Sequence, residues 1–200
     1  MSKNTVERFS NRVENYVKYR PNYPKEVLDL FVSEMNLQTS SVIADVGSGT
    51  GISAKMFLEN GSAVFGVEPN ALMRGAAEKF LADFSKFKSI NGTAENTTLA
   101  DKSVNSVVSA QAFHWFDRAK TRKEFRRILK DKGFVALIWN ERQLDTTAFL
   151  RGYENLLIKF GTDYEDVRHE NITKETLKDF FRLIFVKMFF KTNKQLILKA

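Results

Sequence analysis

Residues 41–53 read SVIADVGSGTGIS. Ser41 to Val46 is a short, β-branched apolar run of strand length. Glycines then recur at every second position, 47, 49 and 51, and a helical pattern from Ile52 to Asn60 is stopped by Gly61. Glycine lets the backbone take positive φ and approach a ligand closely, and the start of the following helix presents unpaired N–H groups. A dinucleotide fingerprint, G-x-G-x-x-G, needs its third glycine where Ile52 stands, which disfavours a nicotinamide or flavin oxidoreductase. An acid, Asp45, instead precedes the first glycine by two positions. It suits a positively charged ligand better than a pyrophosphate.

Downstream, the next strand, Ala63 to Val67, ends in Glu68 and Pro69, with Glu68 nineteen residues after Gly49. A carboxylate at that tip can accept both hydroxyl hydrogens of a ribose. Asn70 is placed to cap a helix to about Phe84; strands follow at Phe87 to Ile90 and Val104 to Ala110. Asp117 caps a basic helix that Gly133 is expected to end, and Phe134 to Trp139 forms a fifth strand. Upstream, Thr5 to Tyr19 reads as a helix, RPNYP breaks it, and Lys25 to Met35 resumes. Strands alternating with helices predict an α/β, Rossmann-like doubly wound, mostly parallel sheet with helices on both faces. Ligands in such sheets sit beyond the carboxyl ends of the strands, so function is expected just after Val46, Val67, Ile90 and Ala110.

The chain has 200 residues, enough for one sizeable core, and is expected to form a single domain: 1–36 an N-terminal helical cover, 41–140 a cofactor-binding core, 141–200 a helical insertion and an incomplete C-terminal strand region. It has no cysteine, which excludes disulfides, thiolate nucleophiles and Cys-ligated metals. Two histidines, His114 and His169, are too few and too far apart for a His-based metal site, so no metal is expected. The N-terminus lacks the apolar core of a secretory signal, and the most apolar run, Phe180 to Phe190, is broken by Arg182 and Lys187. A cytoplasmic protein with no membrane partner is the expectation. The net charge of +7 is spread along the chain; its one cluster, Arg118 to Lys132, reads as the solvated face of an amphipathic helix, so no nucleic-acid partner is expected.

Strand, acid-x-Gly-x-Gly-x-Gly, helix, strand, acid resembles the class I S-adenosylmethionine-dependent methyltransferases. The entry RFSNRVENYVKYRPNYP, the block GTAE at Gly92 to Glu95, AQAFHWFD at Ala110 to Asp117 and EFRRILKDKGFVALIWN at Glu124 to Asn140 look like the small-molecule branch around trans-aconitate methyltransferase. The resemblance implies that S-adenosyl-L-methionine is the cofactor and a small molecule the acceptor. It assigns Asp45, Gly47, Ser48, Gly49 and Gly51 to the methionine end, Glu68 and Pro69 to the ribose, and Ala94 and Glu95 to the adenine. Relatives often carry Asp where Thr93 stands here, a departure at the adenine contact. Gln111 begins the loop where methionine contacts and the substrate mouth meet; Tyr16, Tyr19 and Arg20 belong to the cover.

Methyl transfer needs alignment and water exclusion and no nucleophilic side chain. His114 is the candidate base, with Trp115, Trp139 and Asn140 as candidate substrate-lining residues. Relatives continue with a closing antiparallel strand, so either those last pieces are absent here or QLILKA supplies a stub of them; the run Leu183 to Phe190 is expected to have its neighbour missing or shortened and to offer an edge for a homodimer. Two further readings are a truncated cofactor-binding protein with little turnover and an RNA or DNA methyltransferase; the second predicts steeply salt-dependent nucleic-acid binding.

Overall fold

The computed structural model describes residues 19–140, 143–161, 172–181, 187–189 and 195–199. Helix α1 (Lys25–Met35) leads into β1 (Val42–Val46), α2 (Ile52–Glu59), β2 (Ala63–Val67), α3 (Ala71–Phe80), β3 (Phe87–Ile90) and β4 (Val104–Ala110). After a 3-10 turn at Phe113–Trp115 come α4 (Arg118–Ile128), β5 (Leu129–Asn140), α5 (Ala148–Phe160), α6 (Lys174–Phe181), β6 (Lys187–Phe189) and β7 (Gln195–Lys199). The sheet order is β3-β2-β1-β4-β5-β7-β6. Strands β1 to β5 run parallel, and the order reverses beside β1, so the tips of β1, β2 and β4 open onto one crevice.

The apolar runs of the central strands are buried on both faces, as a covered parallel sheet requires. On one face Ile43, Val64, Val108 and Ile138 pack against Val27 and Phe31 of α1 and Ala54 and Phe57 of α2. Phe31 and Phe57 meet edge-on at 5.0 Å. On the other, Ala44, Val46, Val107, Leu137 and Trp139 pack against Phe113, Phe125, Ile128 and Phe180. Asn70 and Asp117 cap α3 and α4 as their positions foretold: Asn70 Oδ1 accepts the N–H groups of Leu72 and Met73, and Asp117 accepts that of Lys120.

Three expectations are corrected. Helix α3 ends at Phe80, short of Phe84; the buried Leu81 follows, its N–H closing onto Ala77 and its φ of -109° leaving the helix. Helix α4 stops at Ile128, before Gly133, because Leu129 already pairs with Val104 as the first residue of β5. Two steps along β4 then correspond to five along β5, and Gly133 sits in that irregularity where a Cβ would lie 2.9 Å from the Asn105 carbonyl. Of the two alternatives for the C-terminal strand, the missing neighbour is overturned and the QLILKA strand is found: β7 inserts between β5 and β6, antiparallel to both.

A buried ionic knot fixes α4 to the loop before β4. Glu124, 8% exposed, accepts the N–H of Thr97 at 2.7 Å and two guanidinium N–H groups of Arg127 at 2.8 and 2.7 Å. Burial alone would raise its pKa, but Arg127 and Thr97 outweigh that and hold the carboxyl below its usual range. Its stabilising contribution is therefore present near neutrality and is lost as pH falls through the depressed value. Glu124→Ala strands both the Thr97 N–H and Arg127, and an expected loss of about 2–4 kcal/mol follows, measurable by urea unfolding at pH 7. A loss below about 0.5 kcal/mol contradicts the assignment.

Candidate functional site

The chain leaves β1 through three residues of positive φ: Gly47 at 73°, Gly49 at 55° and Gly51 at 85°. The N–H groups of Gly47 and Ser48 both bond the Val67 carbonyl, at 2.9 and 3.2 Å, which pins the turn to the tip of β2. From the other side the loop after β4 crowds in: a Cβ on Gly47 would lie 2.5 Å from the Ala112 methyl. No side chain fits there, because the Ala112 methyl and the Phe116 ring already fill the space.

Two carboxylates bracket this turn. Asp45 is fully buried; its Oδ2 accepts the Ser53 hydroxyl at 2.6 Å, and its Oδ1 has no hydrogen-bonding partner. Burial pushes its pKa up to about 7, the Ser53 bond working against the shift and the charge on Glu68 adding to it. Glu68 is half-buried, with Oε2 accepting the Gly49 N–H at 3.1 Å and Oε1 the Asn70 N–H at 2.9 Å. Burial raises this group as well, more than the two N–H bonds and Arg74 lower it. Each carboxylate retains free acceptor capacity: a buried oxygen at Asp45 suited to an ammonium, and second lone pairs at Glu68 suited to hydroxyl donors.

An open cleft with about 380 Å³ of free space, part of it solvent, lies beside the turn. One wall is Gly47 to Thr50 with Ile52 and Ser53; the other is Arg20, Pro21, Tyr23, Ala110, Gln111 and Asn140. Gln111 has a φ of 60°, donates its N–H to the Ile138 carbonyl at 2.9 Å, and buries an Nε2 with no partner. A strained residue holding an unsatisfied donor beside a cleft is the kind of feature that ligand binding explains.

The predicted residues divide into groups. Gly47, Ser48, Gly49, Gln111, Arg20 and Asn140 line the cleft. Asp45, Gly51 and Glu68 do not line it; Asp45 touches the lining through Ser53, Gly51 precedes the start of α2, and Glu68 holds the Gly49 N–H. Pro69 gives its carbonyl to Arg74. Ala94 is buried in a turn closed by Thr93 and Asn96, while Glu95 accepts the Asp117 N–H at 2.9 Å and so ties the loop after β3 to the start of α4. Tyr19 is exposed and Tyr16 lies outside the described residues. His114 stands half-buried on the 3-10 turn with its ring 4.8 Å from that of Trp115, and neither lines the cleft. Trp139 also falls outside it: strand alternation sends Asn140 to the cleft and Trp139 into the opposite core, edge-on to Phe113.

Sequence reasoning missed Ser53, Tyr23 and Arg74. Ser53 was within reach of inspection, a hydroxyl in the first turn of α2 above a buried acid; Tyr23 and Arg74 carried no motif.

A parallel sheet with a reversed strand order, a glycine turn gripping two strand tips and an acid at each tip make up a Rossmann-like α/β architecture. Residues 44–137 match the family described as "Methyltransferase domain". The chain is 30% identical over 159 residues to an uncharacterized methyltransferase-like protein of Schizosaccharomyces pombe, covering 78% of this chain and 59% of that one. It is 34% identical over 134 residues to an uncharacterized methyltransferase of Mycobacterium tuberculosis, covering 67% and 52%. The chain thus spans little more than half the length of these relatives. Its fold matches the crystal structure of a SAM dependent methyltransferase from Aquifex aeolicus with a TM-score of 0.68 at 17% identity, over 100% of this chain and 98% of that one. The chain is similar, over residues 44–137, to a methyltransferase domain, and its fold is that of S-adenosylmethionine-dependent methyltransferases.

The residues present fit that cofactor. The unpartnered Asp45 oxygen matches the need of an α-ammonium, and the remaining acceptor capacity of Glu68 that of a ribose diol.

Proposed function

We propose that the protein transfers a methyl group from S-adenosylmethionine to a small-molecule acceptor. The observation that carries this reading is the pair of raised carboxylates, Asp45 and Glu68, on neighbouring strand tips with the Gly47–Gly49 turn between them. Bound cofactor supplies an electrophilic sulfonium methyl. The protein's own part is to hold the ammonium with Asp45 and the ribose with Glu68, and to present an acceptor from the Arg20, Gln111 and Asn140 wall. Gln111 Nε2 and the Arg20 guanidinium are donors, so this wall favours an acceptor that is acidic or polar. A carboxylate acceptor needs no base, which agrees with a cleft whose lining contains no histidine among the described residues. A small acceptor also agrees with a basic helix whose charges are partly tied up internally, Lys120 with Asp117 and Arg127 with Glu124 and Asp101. No described helix is long and apolar enough to cross a membrane, and a chain without cysteine suits the cytoplasm.

Incubation with methyl-labelled S-adenosylmethionine and fractionated cell extract tests this reading. Label is expected in the low-molecular-weight fraction; label confined to RNA, DNA or protein overturns the acceptor class.

The raised Asp45 pKa adds a pH dependence. Only the ionised carboxylate can meet an ammonium, and below about pH 7 the free protein holds it protonated. Affinity for S-adenosylhomocysteine is therefore expected to fall by about tenfold from pH 8 to pH 6, with proton release on binding at the lower pH. Calorimetry in buffers of different ionisation enthalpy reads both; a flat profile contradicts the role given to Asp45.

A further inference from the structure

Arg74 stands one turn into α3 and reaches back over the tips of two strands. Its Nη1 donates to the Glu68 carbonyl at 2.8 Å, the Pro69 carbonyl at 2.9 Å and Asn91 Oδ1 at 3.1 Å. The first two acceptors belong to the end of β2 and the third to the end of β3.

The Pro69 carbonyl and the Asn70 N–H belong to one peptide unit, which is planar. By holding that oxygen, Arg74 fixes the direction of the N–H on the other edge of the same plane. That N–H is the one that donates to Glu68 Oε1 at 2.9 Å, while the Gly49 N–H holds Oε2. Glu68 is thus aimed by a chain of contacts that starts at a guanidinium. The base of Arg74 is itself rigid: its N–H bonds the Asn70 carbonyl at 3.0 Å, and Asn70 caps the helix from its side chain. The bond to Asn91 couples this tip to the segment leading to Ala94 and Glu95. A single side chain therefore joins the two loops that face the ribose and the adenine.

We propose that Arg74 is a positioning residue for the nucleoside half of the cofactor, setting the Glu68 carboxylate through the Pro69–Asn70 peptide and holding the β2 and β3 tips in register. The proposal rests on the methyltransferase reading and deepens it. All three contacts are made by one nitrogen, Nη1, which the planar guanidinium holds in a fixed direction; a lysine ammonium also has three donors but sits on a shorter, freely rotating stem, so it is expected to recover the contacts only in part.

The experiment is calorimetric titration of the full chain and of Arg74→Met, Arg74→Lys and Glu68→Gln, singly and with Arg74→Met combined with Glu68→Gln. The ligands are S-adenosylhomocysteine and 5′-methylthioadenosine, the latter carrying the nucleoside half alone. Arg74→Met is expected to weaken both ligands by the same factor, about tenfold, and Arg74→Lys by less. In the Glu68→Gln background the same change is expected to cost under about threefold, because the two residues act in one chain of contacts. Arg74→Lys keeps the test informative should the methionine variant not fold. Wild-type affinity in Arg74→Met, or an undiminished loss without Glu68, overturns the proposal. Failure of the wild-type chain to bind either ligand overturns the methyltransferase reading beneath it.

Discussion

Replacing Asp45 with asparagine is expected to make the ligand-free protein more stable at pH 8 and to weaken S-adenosylhomocysteine binding by about a hundredfold or more. Both effects come from one buried oxygen. Asp45 is fully buried, its Oδ2 accepts the Ser53 hydroxyl, and the hydrogen bonds from Ser53 and the Ala54 backbone do not offset the cost of burial. With the folded-state pKa near 7 against an ordinary 3.8, the folded protein binds the proton more tightly than the unfolded chain does. Stability is therefore greatest below the unfolded value, falls as pH rises from about 4 to 7, and is lower by about 2–4 kcal/mol from there upward. Asparagine keeps the acceptor for Ser53 and removes the charge, so urea unfolding should show the variant ahead at pH 8, with the advantage shrinking toward pH 4. The lost binding follows because an amide cannot neutralise a buried ammonium, an exchange that costs about 3 kcal/mol or more. A variant less stable than wild type at pH 8 would mean that the carboxylate is already satisfied without ligand.

Gly47→Ala is expected to destabilise the fold by about 3–4 kcal/mol. A φ of 73° costs an L-residue about 1–2 kcal/mol. Steric overlap then adds to this strain, because the new methyl would lie 2.5 Å from that of Ala112. Relief requires moving either the turn, which breaks its two bonds to the Val67 carbonyl, or the loop after β4 that carries Gln111. Gly75→Ala is the internal control. It lies within α3 with nothing near its would-be Cβ, and there alanine should stabilise by up to about 1 kcal/mol. Thermal unfolding of the pair reads the contrast directly, and equal effects would refute the account of the turn.

The parts of the fold legible in the sequence were those fixed by local chemistry. The strands around Asp45, Glu68 and Ala110 announced themselves as short apolar runs, and the caps at Asn70 and Asp117 by side chains with one effective local use. Strand β5 showed its Phe134 to Trp139 part in the same way but not its start, because Leu129 leaves a helical pattern for a pairing with Val104 that no neighbouring residue signals. The closing strand at QLILKA was open to expectation from the resemblance, but its pairing register with β5 and β6 was not, being a contact between distant segments. In the site, residue types and spacing located both acids and the glycine turn. They did not separate Trp139 from Asn140, adjacent residues on opposite faces of one strand, since an apolar strand buried on both sides carries no alternation to read. Arg74 was invisible because its role depends on backbone carbonyls, which every residue possesses.

The central claim is that Asp45 and Glu68 hold opposite ends of one nucleoside ligand. Calorimetric titration of Glu68→Gln with S-adenosylhomocysteine and with its 2′,3′-dideoxy analogue, beside the wild-type chain at pH 8, tests it most directly. Wild type should favour the parent ligand by about tenfold or more, and Glu68→Gln should lose most of that preference. A preference for the diol that survives the substitution intact would contradict the account.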